Sequence, residues 1–236
     1  MKFEKTLNKL FGKFYKEDDF IKVTFEKLKK YDFTYENAIA SVCLCRDEIC
    51  QPVIEQIRKV WGEAFNFASL AGLFTAGKTG MKAFISHAPA IADREHYVFY
   101  AFSHVAIDEN GIAGVCKRKG LESSHACGAL CNFHGELLNG KLNLKLDEDD
   151  MEMSFLRRRM LREIKFGEVP DLISLTKTNL YVILSDLEQI IKTVVDSKKA
   201  DYAVFSGIQV HGPEENYIVP DDSYVSVNGR KKKLEI

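Results

Sequence analysis

Residues 97–107, YVFYAFSHVAI, narrow what this chain can become more than any other segment. Aromatic and β-branched side chains fill the run, and Asp108-Glu109-Asn110-Gly111 follows as a turn, so it reads as the strongest strand in the chain. Neither this run nor any other apolar stretch approaches the roughly 18–20 residues needed to span a bilayer. A polar exception sits near the end of the strand: His104.

The flanking sequence alternates between helical and extended patterns. Residues 1–31 read as an N-terminal helical extension, with Phe3, Leu7, Leu10, Phe11 and Phe14 near helical spacing. Residues 36–45, ENAIASVCLC, read as strand, and Pro52 marks the start of a helix through Trp61. Asn66 to Gly80 is rich in Gly and Ala, with a turn-like Gly77-Lys78-Thr79-Gly80. Ile112 to Lys117 reads as a short strand, 123–128 as a loop, and Ala129–Leu138 as a helix. Residues 148–165 and 181–198 read as helices and Ala203 to Val210 as a strand. Residues 223–227 and 231–234 pair across Asn228-Gly229, a type I′ turn signal. Strands alternating with helices predict an α/β sheet in a single domain spanning 1–236.

A net charge of −1 gives no general attraction to nucleic acid or to an anionic membrane. The segment 155–159, FLRRR, reads as a solvated helix face. The N-terminal segment mixes acids with lysines and lacks the apolar stretch of a secretory signal, so the expectation is a cytoplasmic protein. In that setting the six cysteines are free thiols or ligands rather than disulfides.

Cys45 and Cys127, with His104 between them, supply two thiols and an imidazole, the donor set of a catalytic zinc with one open position. Their wide spacing suits ligands gathered from separate strand ends. The alternative is two core cysteines and one core histidine. Asp47, two residues after the first thiol, can accept a hydrogen bond from whatever occupies the open position, provided a cation keeps it ionised. It can equally take the fourth position itself and close the site.

Four strings, SVCLCRDEICQP, FNFASLAGLFTAGKTGMKAFISHAP, YVFYAFSHVAI and SSHACGAL, resemble the limiting-CO2-inducible B/C family, the theta-class carbonic anhydrases. The resemblance covers roughly residues 37–140, with weaker support from ADYAVFSGIQVHGP. It implies a β-carbonic-anhydrase-like mixed sheet with a parallel core flanked by helices. It also implies a homodimer and reversible hydration of CO2 to bicarbonate. Carried onto this chain, the zinc ligands are Cys45, His104 and Cys127, and the adjacent carboxylate is Asp47. The β-class signature would put Arg two residues after the Asp; Ile49 stands there, so the cation is sought elsewhere. Lys78, then Arg46, then Arg94 are the expected partners, with Lys78 as a fixed pocket charge. His87 is a proton acceptor near the pocket or a core histidine. Phe65, Phe67 and Phe84 are expected to line a CO2 pocket or to pack the core. The family is also understood to hold inactive or regulatory members, so a catalytically silent zinc-binding homologue is an alternative.

Two further readings compete. Gly72–Thr79 matches the phosphate-binding pattern G-x-x-x-x-G-K-[ST] letter for letter, which would suit a nucleotide-binding hydrolase. Cys127, Cys131 and His134, joined by Cys43, Cys45 or Cys50, would make a closed structural zinc knot without catalysis.

Overall fold

A computed structural model describes residues 2–89 and 94–236. In chain order it gives α1 (Lys2–Phe11), β1 (Tyr15–Lys16), α2 (Glu17–Lys29), β2 (Ala38–Cys43), α3 (Gln51–Trp61), β3 (Ala64–Asn66), α4 (Gly77–Ile85) and β4 (Glu95–Ala106). There follow β5 (Val115–Arg118), β6 (Leu121–His125), α5 (Gly128–Leu138), α6 (Met151–Glu163), α7 (Leu172–Val194), β7 (Ala200–His211), β8 (Asn216–Pro220), β9 (Tyr224–Val227) and β10 (Arg230–Lys233). Short 3-10 turns at Glu48–Cys50 and Leu70–Gly72 link β2 to α3 and β3 to α4.

The apolar run around residue 100 is the middle of the sheet. Strand order is β1-β8-β7-β4-β2-β3, with β9 on β7 and β10 on β9. Strands β3, β2, β4 and β7 run parallel, while β8, β1, β9 and β10 add antiparallel edges. Every residue of β4 after Glu95 is buried. A parallel strand covered on both faces has no polar side, which accounts for a run without alternation. Val98, Tyr100 and Phe102 face α2 and α3, and Tyr97, Phe99 and Ala101 face α4 and α7. Fully burying each such aromatic contributes about 1.5–3 kcal/mol.

Several polar groups inside the core tie its elements together. The Tyr100 hydroxyl accepts from Trp61 Nε1 at 3.0 Å and meets Thr24 Oγ1 at 2.7 Å, tying α2, α3 and β4 together. Asn179 of α7 donates to Ser103 Oγ at 3.0 Å and to the Ala71 carbonyl at 2.8 Å, which fixes β4 beside His104. The 155–159 helix segment is not wholly solvated. Arg157 turns inward and makes a two-pronged bond to Glu136, at 2.8 and 2.7 Å.

The N-terminal extension departs from a single helix. Gly12, at φ 70°, ends α1, and β1 then pairs with β8 before α2 begins. Phe3 and Leu7 of α1 are buried against Leu180, Ile208 and Val210 of the same chain. The turn-like Gly77–Gly80 is instead the first turn of α4, and the expected loop before α5 holds β6, the second arm of a hairpin with β5. The turn at Asn228-Gly229 joins β9 to β10, both residues at positive φ as a type I′ turn requires.

Candidate metal centre

Cys45 lies two residues past the carboxyl end of β2, and His104 lies near the carboxyl end of β4. Cys127 is the residue before α5. The Ala106 N–H donates to the Ala126 carbonyl at 3.0 Å, which draws the start of α5 to the end of β4. Carboxyl ends of parallel strands are where α/β sheets place their sites. All three side chains are buried, and their ligand atoms lie within 4.8 Å of one another.

The donor set fits a divalent cation. His104 Nε2 is buried and has no hydrogen-bond partner among the described residues. The two thiols face each other, so one cannot ionise without opposing the other. The Cys127 thiol donates to Cys45, which pulls Cys45 down to about 4 and pushes Cys127 well above the ordinary thiol range. A metal ion removes that conflict by ionising both sulfurs. The backbone N–H groups of Ala129 and Leu130, at the start of α5, also face the Cys127 sulfur and favour its thiolate.

Asp47 stands beside this cluster, and its backbone N–H points at the Cys45 sulfur. Its cation is Arg118. The guanidinium spans both carboxylate oxygens, Nη1 to Oδ1 at 2.9 Å and Nη2 to Oδ2 at 2.8 Å, with 12% of the Asp47 side chain and 16% of the Arg118 side chain exposed. Burial alone would raise the Asp47 carboxyl, but the Arg118 pair more than offsets it and holds Asp47 below the usual carboxylate range. Arg118 is itself held by Ser124 Oγ at 2.9 Å, the His125 carbonyl at 3.2 Å and the Glu48 carboxylate. The β5–β6 hairpin thus lays Arg118 over Asp47.

The other expected cations lie elsewhere. Lys78 is exposed in the first turn of α4. Arg46 pairs with Glu152 at 2.7 Å. Arg94 forks onto Asp201 at the opposite end of β4. His87 is exposed, packs its ring on Phe65 at 5.4 Å and shares a cavity with Ile39. Ile39 is level with Tyr97, seven residues before His104 on β4, which is roughly 23 Å along a strand. Phe65, Phe67 and Phe84 stack on one another between 4.9 and 5.9 Å in the α4–α7 core, on the face away from Cys45. They are packing residues.

The two competing motifs do not assemble. Gly72 N–H, Leu73 N–H and Thr75 N–H donate to Ser69, Leu70 and Leu73 carbonyls, so they are not free to cradle a phosphate. A Cβ on Gly72 would stand 3.0 Å from the Phe102 carbonyl oxygen, which shows how tightly the loop is packed on β4. Cys43 points at the Gly72 carbonyl, 3.2 Å away, and neither Cys131 nor His134 joins a ligand cluster among the described residues.

Sequence reading missed His211, at the end of β7. Its Nε2 lies 3.1 Å from His104 Nδ1 and 3.7 Å from Cys50 Sγ. It is buried and neutral, pushed down to about 3 by burial first and then by His104. A cavity of about 310 Å³, lined in part by Ile49, Pro52, Ile107 and Lys117, reaches it.

A profile of the limiting CO2-inducible proteins B/C beta carbonic anhydrases matches residues 14–227. The chain belongs to that family. It is 33% identical to the limiting CO2-inducible protein LCIB of a crystal structure, with 97% of each chain covered and a TM-score of 0.81. PtLCIB4, described as a homolog of LCIB, shares the fold at 20% identity and a TM-score of 0.86, covering 99% of this chain and 100% of that one. A comparison with curated proteins gives no match. Family membership accounts for the mixed sheet with its parallel core and makes this a carbonic-anhydrase-like protein.

Proposed function

We propose that the protein is a zinc-dependent carbonic anhydrase that interconverts CO2 and bicarbonate, CO2 + H2O ⇌ HCO3⁻ + H⁺, on one domain spanning 1–236. The observation that carries this reading is the forked Arg118–Asp47 pair set against the Cys45, His104 and Cys127 cluster. Cys45 Sγ, His104 Nε2 and Cys127 Sγ would hold the zinc. When bound, the metal supplies a Lewis acid that acidifies water.

The chain's own residues do the rest. Asp47, ionised by Arg118, accepts the hydrogen bond of the attacking water and turns an oxygen lone pair toward carbon. The new C–O bond gives bicarbonate and releases one proton. Arg118 fixes the carboxylate in one orientation, since a two-pronged pair allows neither rotation nor protonation cheaply.

Removing metal with a chelator should stop CO2 hydration, and stoichiometric zinc should restore it. Lys78→Ala should leave the rate within about twofold, because an exposed side chain outside the cluster contributes little. Calorimetry with ATP should show no binding. Lys78-dependent ATP binding would reinstate the nucleotide reading.

We propose a homodimer, in a cytoplasmic setting in keeping with six free thiols. The apolar face of α1 is covered by its own chain, so Leu138, Leu144, Phe155 and Phe166, all exposed, are the better source of contact surface. Light scattering at micromolar concentration should give twice the chain mass; a monomer mass would overturn this. No helix among the described residues is long and apolar enough to cross a membrane.

A further inference from the structure

His104 does not stand alone behind its free nitrogen. His211 Nδ1 lies 3.1 Å from Asn216 Oδ1. Glu17 accepts from Gln209 Nε2 at 2.9 Å, and the Asn216 amide also faces its carboxyl. Glu17, at the start of α2, is 7% exposed. Burial raises the Glu17 carboxyl, and the Gln209 and Asn216 amides counter it by donating, so the Asn216 NH2 faces Glu17 and its carbonyl oxygen faces His211. An amide oxygen only accepts, so His211 Nδ1 carries the proton. In a neutral imidazole that leaves His211 Nε2 as a lone pair, and a lone pair 3.1 Å from His104 Nδ1 requires the proton on His104 Nδ1. His104 Nε2 is then the unprotonated atom, the one that is buried without a partner.

We infer that Glu17, Asn216 and His211 form a relay that fixes His104 in its Nδ1–H tautomer, so that Nε2 is ready to bind metal. The relay rests on the zinc reading of Cys45, His104 and Cys127. His211 and Asn216 act through His104 and are positioning residues. The arrangement spans β4, β7, β8 and α2, so the N-terminal segment is tied to the site through Glu17 rather than appended to it.

Cys50 Sγ competes for the same His211 lone pair, but from 3.7 Å. Cys50, His104 and His211 also lie close enough to hold a metal themselves. Such a site would use one thiolate and the other nitrogen of His104. Both it and the relay need His211, so loss of His211 alone would not separate them.

Three measurements together separate them. Nitrogen-15 NMR of the histidine rings in the metal-free wild-type protein should show Nδ1–H on both His104 and His211. Nε2–H on His104 would overturn the relay whatever the metal does. Chelator competition should then show zinc affinity falling about 10–100-fold in His211→Ala, the range for losing such an outer partner. His211→Gln, whose amide oxygen can accept from His104 Nδ1–H, should recover most of it. Equal affinity in all three proteins would also overturn the relay while leaving the zinc reading intact. No zinc in the wild type would instead overturn that reading. Cobalt substitution completes the test: charge-transfer bands of two thiolates, unchanged by Cys50→Ser, fit the relay. Bands of one thiolate, lost in Cys50→Ser, would make His211 a ligand and sink it.

Discussion

Replacing His104 with alanine should strip zinc from the protein and abolish CO2 hydration together. The imidazole is the one nitrogen donor of the cluster, and its Nε2 has no other partner to hold. Two buried thiols are left facing each other, so one will stay protonated and bind metal poorly. Losing an outer hydrogen bond to a ligand costs 10–100-fold in affinity, and losing the ligand itself should cost well beyond that. Cys45→Ser and Cys127→Ser should behave alike, because serine does not ionise near neutral pH. Cys50→Ser and Cys131→Ser should keep one zinc per chain. Full zinc in the Cys127→Ser protein, by elemental analysis, would overturn the ligand assignment and direct attention to Cys50, His104 and His211.

Arg118→Ala should leave zinc bound and lower kcat/KM by about 10²-fold or more, the range attributed to a well-placed acid–base group. The substitution removes every strong bond to Asp47 except the Ile49 N–H at 3.3 Å. Burial then dominates and the Asp47 pKa rises. The acid limb of the rate profile should therefore move to higher pH, since the carboxylate is needed ionised. Breaking a mostly buried pair by removing one partner should also cost about 3 kcal/mol of stability. Arg118→Lys, which keeps charge but not the fork, should restore part of the rate and part of the stability. An Arg118→Ala protein with unchanged rate and unchanged pH profile would show that the pair is structural only.

The difference between Lys78 and Arg118 shows what a sequence can convey about such a site. That Cys45, His104 and Cys127 could form a metal-binding cluster was legible because thiols and imidazoles are the donors zinc takes, and the structure brings the three side chains together. Asp47 followed from its distance to Cys45 along the chain. The cation did not, because the local position it would occupy holds Ile49 and the real partner arrives from 71 residues away on a two-stranded arm. Only the fold brings Arg118 there. Lys78 was the favoured cation; in the structure Gly77 and Gly80 bracket the first turn of α4, where the lysine is exposed. His211 was hidden for a related reason. It ends an apolar strand like any core histidine, and its value lies in a 3.1 Å contact across the sheet. The α/β sheet was readable from strands alternating with helices and its parallel core followed from the family resemblance, whereas the two-residue β1 and three-residue β3 are too short to leave a pattern.

Oxygen-18 exchange between CO2 and water, measured on wild-type protein whose zinc content is determined in the same sample, tests the central claim most directly. The account predicts one zinc per chain and an exchange rate above buffer that scales with zinc as a chelator withdraws it. One zinc per chain with exchange no faster than buffer alone would contradict it, and would make this chain a silent zinc-binding member of its family.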